Sequence, residues 1–153
     1  PRESSEEENG LLPSFLSAIC FDFDLANQSL NWANAGHLPA LLRMPDGAVQ
    51  KLESNAPPLG LFAETNLKTQ TTRLLGYGRL IAFSDGILEN HYSSVGAGID
   101  SMTTLLTTTT ADSPAAFLTV LDKTLLPLLP VRDMDDACVM AIDINAEGAV
   151  KHV

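Results

Sequence analysis

The stretch DMDDACVMAIDI, residues 133–144, places three aspartates within four positions and then runs into apolar, β-prone chain. Like charges gathered at the mouth of a buried strand lower stability unless a cation holds them. A further aspartate, Asp85, ends the run Leu80-Ile81-Ala82-Phe83-Ser84 and is followed by Gly86, which lets the backbone turn away sharply. If these two strands are antiparallel neighbours, the end of one lies beside the start of the other, and Asp85, Asp135 and Asp136 share one rim of a sheet. Carboxylates grouped without His or Cys are hard oxygen ligands, suited to Mg²⁺ or Mn²⁺ rather than zinc. The same residues also read without a metal. Asp85-Gly86 is then an ordinary turn, and Asp133, Asp135 and Asp136 are solvated loop charges. On pattern alone this second reading is the commoner outcome.

Other residues carry two readings as well. His37, beside Gly36, could serve as a general acid. It could equally be a turn histidine bonded to backbone at a strand end, the preferred reading for a His with no partner in the sequence. Glu89 either reaches the acidic edge or caps a turn. Asn34 reads as a turn former, and Trp32 as core. Cys20 and Cys138 both sit in apolar strand-like runs without Cys-x-x-Cys spacing, and are expected to be buried free thiols.

The elements that must position these groups follow from periodicity. FLSAICFDF and SLNWANAG, separated by Asn27-Gln28, form an expected antiparallel hairpin. HLPALLRM and AVQKL flank the turn Pro45-Asp46-Gly47. NAPPLGLF reads as a loop. LKTQTTRLL, a half-exposed strand, is expected to turn at Gly76-Tyr77-Gly78 into RLIAFSDG as a second hairpin. MTTLLTTTT is ambiguous, since threonine weakens a helix. Ser113-Pro114 marks a helix start, and Phe117, Leu118, Leu121, Leu125 and Leu128 follow at helical spacing as a core-facing stripe, limited by Pro127 and Pro130. DMDDACVMAIDI closes as a strand. Strands, then helices, then a strand imply an α+β fold with helices packed on antiparallel sheet.

The chain has 153 residues, one domain by length, and its 45% apolar content suffices for a core. A net charge of −10 with nine scattered basic residues argues against a nucleic-acid partner. No apolar run reaches the ~18 residues of a membrane span, so no membrane partner is expected, and a reducing cytoplasm fits the cysteine usage. Residues 1–13 read as an acidic flexible linker or loop, 14–146 as the folded portion, and 147–153 as a tail. The start has neither an initiating Met nor a signal-peptide pattern, which reads as a piece of a longer protein.

Four segments in order resemble the C-terminal half of a metal-dependent type-2C protein serine/threonine phosphatase of the bacterial SpoIIE-like branch. LNWANAGHLPALL is similar to that branch's strand and turn ending N-A-G-H-x-P, and APPLGLF to its P-L-G loop. LIAFSDGILEN is similar to its T-D-G-x-x-E segment, with Ser84 for Thr. MDDACVMAI is similar to its closing D-D-A-T strand, with Cys138 for Thr. The resemblance spans about Ser14 to Ile144. It implies a β-sandwich of mostly antiparallel strands flanked by α-helices, incomplete in this chain. It also implies a pair of Mn²⁺ or Mg²⁺ ions and in-line attack of a metal-bound water on phosphoserine or phosphothreonine. By that resemblance Asp85 and Asp135 are metal ligands, Asp136 orients its neighbour or binds through water, and Gly86 permits close approach. His37 and Glu89 are accessory candidates.

The implied substrate and partner is a phosphorylated regulatory protein, an anti-sigma-factor antagonist. An upstream sensory or receiver domain is expected in the same chain, and a homodimer stays open. The branch's upstream G-D-x-x-D and G-D-x-x-G-x-G segments, which supply further ligands, are missing here. That absence implies either a partial site or the alternative function, a non-catalytic phosphatase-like adaptor that binds a partner protein. A β-rich binding module unrelated to phosphatases would require the four segments to coincide by chance.

Overall fold

The computed structural model describes residues 14–89, 92, 94–125 and 136–145, with Glu89 and Leu125 described by their backbone alone. The acidic segment 1–13, Leu128, Asp133, Asp135 and the tail 147–153 lie outside the described residues.

Among the described residues, seven strands and three helices follow in the order β1 (Ala18–Asp24), β2 (Ser29–Ala35), β3 (Ala40–Arg43), β4 (Val49–Leu52), β5 (Gln70–Arg73), β6 (Tyr77–Phe83), α1 (Gly86–Glu89), α2 (Val95–Thr108), α3 (Pro114–Leu125) and β7 (Val139–Asn145). They form a three-stranded sheet, β1-β2-β5, and a four-stranded sheet, β4-β3-β6-β7, and the pairs of both are antiparallel.

Period-two alternation makes the sandwich. Leu30 and Trp32 from β2 meet Leu42, Leu80 and Ile144 from the larger sheet in one buried cluster. The other face of that sheet puts Leu41, Ile81 and Phe83 against Ile87, Leu88, Met102, Leu106, Phe117 and Leu121 of the helices. β6 is therefore covered on both faces, which is why its half Leu80-Ile81-Ala82-Phe83 is continuously apolar rather than alternating. Burying each such side chain stabilises by about 1.5–3 kcal/mol.

The expected β1–β2 hairpin is present over the full register Ala18↔Ala35 to Asp24↔Ser29. Its turn is held by Asp24, whose carboxylate accepts from the Asn27 amide N–H and side chain. The expected second hairpin is absent. β5 pairs with β2, whereas β6 pairs with β3 and β7. The turn around Gly76 thus carries the chain from one sheet to the other, because Thr72 and Leu74 are needed in the core between the sheets.

The threonine-rich segment is helical as far as Thr108, where α2 ends. Thr103, Thr104 and Thr108 donate their hydroxyls to carbonyls four residues back, satisfying them within the helix. Ser113 caps α3 as expected, its hydroxyl accepting from the Ala116 N–H at 3.2 Å. Cys20 and Cys138 are exposed, not buried. In β1 the alternating residues Ile19, Phe21 and Phe23 pack on the core, which turns Cys20 to the opposite face. Cys138 precedes β7 where the chain enters the sheet.

Candidate metal centre

β6 and β7 pair antiparallel from Tyr77↔Asn145 to Phe83↔Val139. The end of β6 therefore meets the segment that leads into β7. Ser84 is the joint. Its N–H donates to the Cys138 carbonyl at 2.9 Å. Its hydroxyl accepts from the Cys138 N–H at 2.8 Å and donates to the Asp136 carbonyl at 3.0 Å. Asp85 follows at once and opens α1. Its carbonyl accepts from the Leu88 N–H at 2.7 Å, and its side chain accepts from the Gly86 N–H at 3.1 Å. Gly86 is buried, and Asp85 and Asp136 are exposed.

A second loop reaches the same place. Gly36 has φ +69°, and a β-carbon there would run into the Pro58 ring, so the turn after β2 admits glycine alone without strain. Asn34 is fully buried and does more than form a turn. Its side-chain oxygen accepts from the His37 N–H at 2.9 Å, and its amide donates to the Leu38 and Leu52 carbonyls. The His37 ring Nδ1 lies 2.8 Å from the Leu38 carbonyl oxygen. Since a carbonyl only accepts, Nδ1 carries the proton, and in the neutral ring Nε2 is an acceptor.

His37, Gly36, Ser84 and Asp85, with Ser17 and Val95, line one cleft of about 270 Å³. No lysine or arginine lines it among the described residues. The oxygen donors among its lining side chains are the Asp85 carboxylate and the Ser17 and Ser84 hydroxyls, hard ligands of the kind Mg²⁺ and Mn²⁺ take, with one carboxylate among them. Among the described residues no three His, Cys, Asp or Glu side chains form a metal-holding group. Asp135 lies outside those residues, and so does the side chain of Glu89.

The sequence reading missed the other end of the same ladder. Arg79, 1% exposed, pairs in register with Asp143 and grips its carboxylate through two nitrogens. Arg79 also donates to the Tyr77 hydroxyl and the Ala111 carbonyl and sits 5.4 Å from the Phe117 ring centre. Burial pushes the Asp143 carboxyl up, but hydrogen bonds from Arg79 and Tyr77 and the guanidinium charge outweigh it and hold the carboxyl below its ordinary value. In the sequence each is visible only singly, as one Arg and one Asp that interrupt otherwise apolar strands.

The family model described as Stage II sporulation protein E (SpoIIE) matches residues 2–145. The chain belongs to the SpoIIE family. Phosphoserine phosphatase RsbP of Bacillus subtilis is 31% identical over 75 residues, 49% of this chain and 19% of RsbP. Protein IcfG of Synechocystis is 24% identical over 82 residues, 54% of this chain and 13% of IcfG. The chain thus spans less than a fifth of the length of either curated relative. Among solved structures, the phosphatase domain of SpoIIE from Bacillus subtilis superposes with a TM-score of 0.66 at 19% identity, covering 84% of this chain and 58% of that one. RsbX in complex with magnesium gives 0.58 at 13% identity, covering 83% and 54%. The SpoIIE-family fold of this chain is therefore that of the type-2C phosphatase domain, represented over part of its length. No helix among the described residues is long and apolar enough to cross a membrane.

Proposed function

We propose that this SpoIIE-family chain contributes to a metal-dependent protein serine/threonine phosphatase acting on a phosphorylated regulatory protein, an anti-sigma-factor antagonist. It would act as the effector part of a bacterial cytoplasmic signalling protein, downstream of a sensory or receiver domain, with homodimerisation compatible. The observation that carries this reading is the β6–β7 pairing, which brings the Asp85 end of one strand to the Asp136 end of the next, beside a cleft that His37 also lines. The names of RsbP and the SpoIIE phosphatase domain support the reaction class.

Asp85, Asp135 and Asp136 would hold Mn²⁺ or Mg²⁺, and the buried Gly86 would let the chain approach closely. Bound there, such ions supply an activated water and offset charge on the transferring phosphoryl group. The chain's own contribution is positional. The β6–β7 ladder orients the carboxylates, and the Asn34 network holds His37 at the cleft wall with its protonated nitrogen turned to backbone. His37 and Glu89 are accessory groups of this rim.

The test is Mn²⁺-dependent phosphate release from a phosphoserine protein by the complete protein and by its Asp85→Asn variant. Release that disappears in the variant is expected, and full activity in the variant removes the metal assignment. A second reading, a phosphatase-like adaptor, is favoured by one observation of the sequence: residues 1–153 hold neither the G-D-x-x-D nor the G-D-x-x-G-x-G segment that supplies further ligands in the resembled branch. Micromolar Mn²⁺ binding by calorimetry would count against it.

A further inference from the structure

In the β6–β7 register Phe83 pairs with Val139, so the next facing pair is Ser84 and Cys138. An antiparallel pair that exchanges both hydrogen bonds uses two N–H groups and two carbonyls. Here only one bond of that pair is made by backbone, from the Ser84 N–H to the Cys138 carbonyl at 2.9 Å. The return bond from the Cys138 N–H goes to the Ser84 hydroxyl at 2.8 Å. The Ser84 carbonyl is thereby released from the ladder and accepts instead from the Ile87 N–H at 3.4 Å, within the turn that starts α1. The hydroxyl proton is used as well, on the Asp136 carbonyl at 3.0 Å.

We infer that Ser84 is a positioning residue for the candidate metal rim: its hydroxyl substitutes for its own carbonyl, so that Asp85 can leave the sheet into α1 while the Asp136 backbone stays clamped beside it. This rests on the reading of Asp85 and Asp136 as metal ligands. Without the hydroxyl, two outcomes are open to the chain. Either the Ser84 carbonyl returns to the ladder and the turn bearing Asp85 rotates, or Cys138 and Asp136 separate from the end of β6. Both change the placement of one carboxylate relative to the other. Because Cys138 and Asp136 are exposed, water can satisfy the freed backbone groups, and global stability changes little. Threonine carries the same hydroxyl on the same carbon, so it preserves the clamp.

The experiment compares the complete protein with its Ser84→Ala and Ser84→Thr variants by Mn²⁺ calorimetry, thermal unfolding and hydrogen exchange of the Cys138 amide without metal. In Ser84→Ala, the Mn²⁺ Kd is expected to rise at least tenfold and Cys138 exchange to accelerate at least tenfold, with the metal-free Tm nearly unchanged. Ser84→Thr should match the unmutated protein in all three. Unchanged Mn²⁺ affinity in Ser84→Ala overturns the inference, and so does an equal loss in the Thr variant. If the unmutated protein binds no Mn²⁺, the metal reading fails by itself. Exchange at Cys138 then decides the clamp: acceleration in Ser84→Ala supports it, and no change overturns it.

Discussion

The two ends of the β6–β7 ladder carry charge in opposite ways. At one end Arg79 and Asp143 face each other in register, the guanidinium is buried, and each group finds a partner of opposite sign. At the other end Asp85 and Asp136 are exposed, and neither has an ion-pair partner among the described residues. Roughly 15–20 Å of strand separates them. The first end neutralises itself and therefore serves the fold. The second leaves two exposed carboxylates without a cationic partner among the described residues. One pair of strands thus spends a buried ion pair on holding register, and that register aligns the acidic rim at the far end.

The largest effect should come from separating these roles by substitution. Asp85→Asn is expected to abolish Mn²⁺-dependent phosphate release while leaving the metal-free urea midpoint within error of the unmutated protein, because an exposed carboxylate without a counter-ion contributes little to folding. A large stability loss in that variant would blur the contrast. At the opposite end the signs reverse. Asp143→Ala leaves the Arg79 guanidinium buried without its carboxylate, and breaking such a pair costs about 3–5 kcal/mol, measurable by urea unfolding. Replacing both, Arg79→Met with Asp143→Leu, should cost far less than Asp143→Ala alone, since no unpaired charge remains.

The contrast also has a pH signature. Asp143 has its carboxyl lowered in the folded state, where Arg79 and Tyr77 overcome the opposing effect of burial. Between the folded and unfolded values the unfolded chain binds more protons, so stability rises with pH in that window. The contribution is fully present above the ordinary carboxylate value and is lost as pH falls through the lowered folded value. Acid titration of unfolding should therefore be steeper for the unmutated protein than for Asp143→Asn. An identical acid limb in both would remove Asp143 from the account.

How much of this was legible in the sequence depended on the range of the signal. Local signals read well: the Ser113-Pro114 start of α3, the Pro45-Asp46-Gly47 turn between β3 and β4, and the stop of β6 just before Asp85. The pairing of β6 with β7 was reachable only as a condition, because sequence order does not reveal which strands are neighbours. The same gap produced the mistaken hairpin across Gly76, where adjacency in sequence was taken for adjacency in a sheet. Cys20 was misjudged because a half-buried strand has two faces, and only the aromatic partners Phe21 and Phe23 show which is inward. The Arg79–Asp143 pair spans 64 positions, and no local pattern joins residues so far apart. Ser84 was read only as a substitute for threonine, because its function depends on a carbonyl that leaves the ladder, a feature of backbone geometry rather than residue type.

The finest version of the comparison removes a single hydroxyl from each end. Tyr77 accepts a hydrogen bond from Arg79 at 3.2 Å and helps to hold the Asp143 carboxyl low. Tyr77→Phe keeps the ring and deletes that acceptor, so a loss of about 1 kcal/mol in urea unfolding is expected, with Mn²⁺ affinity unchanged. Ser84→Ala deletes a hydroxyl of the same kind from the acidic end and is expected to do the reverse, weakening Mn²⁺ binding with little change in unfolding. The two variants differ in what surrounds the lost oxygen. One hydroxyl completes an ion pair, and the other lies between two carboxylates that have no counter-ion among the described residues. Equal effects of the two variants on both readouts would mean that the ladder transmits strain along its whole length, and the division between a structural end and a functional end would not hold.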